Sequence, residues 1–193
     1  MAIGLETMTR RLAVLSMLLF IWGGSSSART ETPEDWVKLL TRVHGGFGSF
    51  LPVGIRIGED AMKRLDAKQR ELSVVFYQGE GTPCPCVADG VMLTVLASPG
   101  QGTLQIAPEK SAPGTFAVVV IKPRKGGDGL KYTVPMSLMP KLVQINSTTQ
   151  DPLGRYNAVM ALPDPFTVEP VLVCNPNSAI SAPSTRQIAR PRT

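Results

Sequence analysis

Two of the three cysteines stand one residue apart in Pro83-Cys84-Pro85-Cys86-Val87-Ala88-Asp89-Gly90, with a carboxylate three positions beyond the second. A helix opening at Cys86 would set unpaired N–H groups and the positive end of its dipole beside the sulfur, which favours thiolate over thiol. Asp89 falls at i+3 on the same face. An anion there opposes a thiolate, so Asp89 is expected to orient a histidine or ligate a metal, or else simply to complement the helix dipole. His44 is the chain's one histidine, so any imidazole chemistry must use it. Cys86 and His44 are therefore the catalytic candidates, as a thiolate–imidazolium pair. With Asp89 they are also a candidate metal set, His44, Cys86 and Asp89, suited to zinc or another transition metal with an open position. Gly100, Gln101 and Gly102 could turn backbone N–H groups toward an anionic cofactor, or form a plain tight turn.

The elements that must position these groups are legible in the spacing. Thr32-Pro33-Glu34-Asp35 reads as a helix start, with the helix running to about Val43 and ended by His44-Gly45-Gly46. Phe50, Val53, Ile57, Ala61, Met62 and Leu65 recur at helical spacing from Phe50 to Leu65, with Gly54 and Gly58 beside that stripe. Glycines there would admit another backbone at close range. Leu72 to Tyr77 reads as a strand, Cys86 to Ala97 as a largely buried helix, and Gly102 to Ala107 and Thr115 to Ile121 as strands. Leu130 to Val134 reads as a further strand and Pro135 to Ile145 as a helix. Helices first and paired strands later predict an α+β class: a single domain, a mixed β-sheet packed by helices.

Val43-His44-Gly45-Gly46-Phe47-Gly48-Ser49-Phe50 and Cys86-Val87-Ala88-Asp89-Gly90-Val91-Met92 carry a resemblance. The chain resembles the E-subunit family of formylmethanofuran dehydrogenase. That family has a His-Gly segment entering a helix, then C-x-x-D-[AG]-[IV]-Q, then a Gly-rich turn that here reads Ser98-Pro99-Gly100-Gln101-Gly102-Thr103-Leu104. The match runs roughly from Trp36 to Leu153. Gly46 and Gly48 stand where the family commonly has a second His and a nearby Cys. Met92, Ala97 and Gln101 replace Gln, Cys and Lys, and the zinc-ribbon extension is absent. The resemblance implies the family's core fold and a His44–Cys86–Asp89 pocket that binds metal or acts as a redox thiol. The lost ligands favour the alternative, a non-catalytic module that holds a ligand or cofactor for a partner oxidoreductase. The partners implied are a redox enzyme or a second copy of the chain.

Composition bounds these readings. The 193 residues are 43% hydrophobic and 18% charged, enough for one sizeable core. Residues 1–28 read as a signal peptide: Arg10-Arg11, the apolar run Leu12 to Trp22, and small residues to a cleavage site near Ala28. The run is too short for a stable membrane span, so the mature protein is expected to be exported, periplasmic or extracellular. Thr9-Arg10-Arg11-Leu12 also resembles a twin-arginine signal. Residues 29–174 form the expected domain, and 175–193 a disordered basic tail. Of the formal net charge of +5, the leader holds +1 and the tail +3, leaving +1 for the domain, which excludes a nucleic-acid partner. An oxidising compartment tends to close paired thiols. A Cys84–Cys86 bond is expected to be strained; Cys84 with Cys174 is the less strained pairing and leaves Cys86 free.

Overall fold

A computed structural model describes residues 31–172. The leader, the tail and Cys174 lie outside the described residues. The described residues from Pro33 to Leu172 belong to one compact unit. Its elements are α1 (Pro33–His44), α2 (Phe50–Arg64), β1 (Leu72–Gln78), α3 (Cys86–Val95), β2 (Leu104–Ile106), β3 (Thr115–Pro123), β4 (Gly129–Pro135), α4 (Met139–Thr148), α5 (Pro152–Met160) and β5 (Thr167–Val171). The α+β class is as the sequence implies. The five strands lie in the order β2-β1-β3-β4-β5, with β1 and β2 parallel and every other pair antiparallel. No helix among the described residues is long and apolar enough to cross a membrane.

Alternation builds one inward sheet face. Leu72, Val74 and Phe76 of β1 are buried, and register sets Val74 opposite Ile121, Phe76 opposite Val119, and Val119 opposite Tyr132. Helix α2 reaches this face through Phe50, which stacks on Phe116 at 5.2 Å, and through Asp60, which accepts the Tyr132 hydroxyl proton at 2.9 Å. Burial drives the Tyr132 phenol well above its usual range, aided by that bond. The same Asp60 oxygen accepts from Arg64 Nε at 2.6 Å.

The apolar stripe read along α2 covers only part of what is buried. Leu51, Val53, Gly54, Ile55, Ile57 and Gly58 are all enclosed, because α2 is a central helix with α3 on its other flank. Gly54 and Gly90 make this possible. A Cβ on Gly54 would strike the Val87 carbonyl and lie 2.7 Å from Val91 N; one on Gly90 would strike the Leu51 carbonyl. A Cβ on Gly58 would lie 2.6 Å from the Cβ of Thr94. The two backbones meet without side chains between them.

Several boundaries differ from the sequence reading, each for a local reason. Helix α3 stops at Val95 because Leu96 is left-handed, φ 52°, and Ala97 N turns back to Met92 O. Strand β2 is confined to three residues: Gly102 is left-handed in the preceding turn, and Pro108 has no N–H to extend the ladder. Pro135 ends β4, a 3-10 turn follows, and α4 begins at Met139 with Pro140 in its first turn. Helix α5 and strand β5 lie beyond the elements that the spacing predicts. The signal for α5 is Asp151-Pro152, an N-cap followed by proline at the first helical position. The Asp151 carboxylate accepts from Leu153 N and Gly154 N. Replacing Asp151 with Ala should cost about 1 kcal/mol of unfolding free energy by urea titration. A change below the fitting error would mean that α5 is held by packing alone. In β5, Pro170 argues against a strand, but β5 lies at the sheet edge, where a missing N–H is tolerated.

Candidate functional site

His44 is the last residue of α1, and Gly45, φ 87°, turns the chain out of the helix. Helix α1 packs against α3, and His44 Nδ1 lies 2.7 Å from Asp89 Oδ2, linking residues 45 positions apart. Both side chains are partly buried, 28% and 33% exposed. An ionised carboxylate only accepts, so Nδ1–H donates and Nε2 is left as the ring's free face. The pair also suits both helix ends: the imidazole closes the negative end of α1, and the carboxylate sits in the first turn of α3.

The turn behind His44 is held by residues that the sequence reading does not mark. Arg155, on α5, donates Nη1 to Phe47 O at 2.9 Å, Nε to Thr149 O at 2.6 Å and Nη2 to Asn146 O at 3.2 Å. Ser49 is fully buried, donating Oγ to Leu142 O at 2.7 Å while its N–H bonds Asn146 Oδ1 at 2.8 Å. One guanidinium fork thus joins three main-chain carbonyls across the α1–α2 turn and α4. No motif announces this role, because every acceptor is backbone.

Cys86 opens α3 and is buried, 7% exposed; Cys84 is only partly buried. Their sulfurs are joined in a disulfide, with a Cα–Cα separation of 5.3 Å. The pairing with Cys174 and a free Cys86 are thereby corrected. Pro85, at φ −79° and ψ 29°, bends the chain, bringing the flanking Cα atoms within the range a disulfide spans.

The expected metal set is assembled only in part. His44 meets Asp89, but the Cys86 sulfur is bonded to Cys84 and offers no thiolate. Among the described residues no group of three or more His, Cys, Asp or Glu side chains is placed to hold a metal ion. In the disulfide state these residues do not fit zinc or another transition metal. For the same reason Cys86 is not a standing thiolate nucleophile.

Gly100, Gln101 and Gly102 form a plain tight turn, one of the two alternatives their spacing allows. They lie in the 3-10 turn Pro99–Gln101 and its cap, where Gln101 N bonds Ser98 Oγ at 3.2 Å and Gly102 N bonds Pro99 O at 2.9 Å. The N–H groups of Gln101 and Gly102 are thus spent on the turn itself, away from any anion.

Known proteins share this arrangement of helices and sheet. A solved structure described as a tungsten formylmethanofuran dehydrogenase FmdE-like protein from Syntrophus aciditrophicus superposes with a TM-score of 0.53 at 18% identity, covering 80% of this chain and 79% of that one. At that identity the likeness speaks for the fold alone. No curated protein matches. The family model described as "FmdE, Molybdenum formylmethanofuran dehydrogenase operon" matches residues 43–161, from the end of α1 through α5. The span holds the His44–Asp89 pair, the cysteine helix and the Arg155 clamp, and the chain belongs to the FmdE family.

Proposed function

We propose that this FmdE-family protein is an exported thiol–disulfide redox module serving a partner oxidoreductase. The observation that carries the reading is the Cys84–Cys86 disulfide at the opening of α3, one helical turn from the His44–Asp89 pair. Cys84, the less buried of the two, is the point of entry. A thiolate of a donor dithiol attacks Cys84 Sγ, the S–S bond breaks, and Cys86 leaves as thiolate at the positive end of α3. The donor's second thiol then displaces Cys84 from the mixed disulfide. Two electrons and two protons pass from the donor dithiol to Cys84 and Cys86, and the donor becomes a disulfide.

Export is supported by Arg10-Arg11, the apolar run Leu12 to Trp22 and the small residues up to Ala28. N-terminal sequencing of the secreted form should begin near Arg29, whereas finding Leu12 to Trp22 retained would remove the leader. The redox reading is tested by equilibrating the protein with a thiol–disulfide buffer and counting alkylated cysteines by mass. Cys84 and Cys86 should take up label together, in a single two-electron transition that Cys84→Ser and Cys86→Ser each abolish. Full labelling of both before any reductant is added would refute it.

A second reading has its own observation. Asp89 holds Nδ1 of His44, as carboxylates do for metal-bound histidines, and so leaves Nε2 as the available ring nitrogen. In the reduced protein His44 and Cys86 would then be donors for zinc or another transition metal. Metal content measured in oxidised and reduced samples separates the readings: stoichiometric metal in the reduced protein alone, lost in His44→Ala, favours the second.

A further inference from the structure

At the opposite end of β1 from the cysteines lies a cleft of about 540 Å³, a size that suits a small molecule. Strand β1 spans seven residues, so the two sites are separated by roughly 20 Å of sheet. Its lining includes apolar Leu65, Ala67 and Pro123 and cationic Arg70, Arg124 and Lys125. Asp66 and Glu71 complete the lining, leaving the cations in excess by three to two. Glu71 is already in use: Oε2 accepts from Lys68 N at 2.9 Å, and Oε1 is 4.0 Å from Lys125 Nζ.

Of the three cations, Arg70 is the one held ready rather than neutralised. Arg70 is left-handed, φ 71°, although it is not glycine, and Asp66 is as well, φ 46°. The arginine is kept in that conformation from both sides. Its N–H donates to Val95 O at 2.8 Å, and its carbonyl accepts from Arg124 Nη1 at 3.0 Å. Arg124 N in turn donates to Glu71 O at 2.8 Å, tying the end of β3 to the start of β1. Among the described residues, no hydrogen bond or ion pair joins the Arg70 guanidinium to another group. A disfavoured backbone conformation that the surroundings enforce, and that presents an uncommitted guanidinium into a cleft, points from the outlier to a function.

We infer that this cleft binds a small phosphate monoester. The Arg70 and Arg124 forks match phosphate oxygens, Lys125 adds a mobile positive charge, and the apolar lining of Leu65, Ala67 and Pro123 takes the organic part. The site is independent of the cysteines and stands whether or not the redox reading does.

Phenyl phosphate is the probe, with inorganic phosphate beside it, and amide chemical shifts of the purified oxidised protein are the readout. Phenyl phosphate should saturate resonances of Arg70, Glu71 and Arg124, more tightly than inorganic phosphate, while Cys86 and Asp89 stay still. Arg70→Gln, whose side chain has no partner to lose, should keep the fold and weaken binding about tenfold or more; Arg70→Lys should restore part of it. Lys110→Gln, an equal charge change at the far end of β1, should leave the affinity unaltered. Absence of saturation up to about 10 mM phenyl phosphate, or equal weakening by Lys110→Gln, overturns the proposal. Equal affinity for inorganic phosphate and phenyl phosphate overturns the monoester assignment.

Discussion

Gly54→Ala should lower the free energy of unfolding by about 3 kcal/mol or more. The added Cβ would land on the Val87 carbonyl and within 2.7 Å of Val91 N, both backbone atoms that cannot rotate away. Helix α3 would have to withdraw from α2, exposing the apolar seam and drawing Asp89 away from His44. Alanine is intrinsically favoured over glycine inside a helix by about 1 kcal/mol, so the clash must overcome a gain before any loss appears. Gly46→Ala is the matched control, since nothing lies within 4 Å of its added Cβ. That variant should stay within about 0.5 kcal/mol of the parent. Equal urea midpoints for the two would show that α3 can shift freely, and the close-packed seam would be wrong.

The second large effect concerns the rate at which a dithiol opens the Cys84–Cys86 bond. His44→Ala should slow that reduction about tenfold, because Asp89 then loses its hydrogen-bonded partner and its full negative charge opposes Cys86 as a leaving thiolate. Asp89→Asn should act the other way and speed it, since the opposing charge is removed while the opening turn of α3 keeps its dipole. Stopped-flow measurement at fixed pH, with folding checked by circular dichroism, distinguishes these opposite signs from a general loss of structure. Both variants slowing equally would mean that the pair acts only as a structural link between α1 and α3. No change in either would sever it from the disulfide altogether.

The partial legibility of the site has a definite cause. Residue type and motif both mark His44 and Asp89, and what joins them is the packing of α1 on α3. The disulfide goes the other way. Chain separation argues against Cys84–Cys86, whereas the bend at Pro85 brings the two Cα atoms to 5.3 Å. Arg155 is invisible in the sequence because it recognises carbonyl groups, which every residue has. The cleft at Arg70 is equally hidden: its cations come from the α2–β1 link and from the end of β3, and only the pairing of Leu72 with Pro123 makes them neighbours.

What the sequence determined by itself is what short-range spacing encodes. The 3.6-residue stripe of α2, the alternation in β1 and the apolar run of β3 each bury one particular set of side chains, and those sets leave an α+β arrangement as the consistent solution. The glycines at 54 and 58 even marked which flank of α2 another element would approach. Tertiary structure alone decided which element that was, which sulfur Cys84 meets, and that Gln101 and Gly102 spend their N–H groups on a turn. Those outcomes depend on distances between segments far apart in the chain, or on backbone angles at one or two residues. A pattern of residue types fixes neither, because many partners satisfy the same hydrophobic face, and only the packed fold selects one of them.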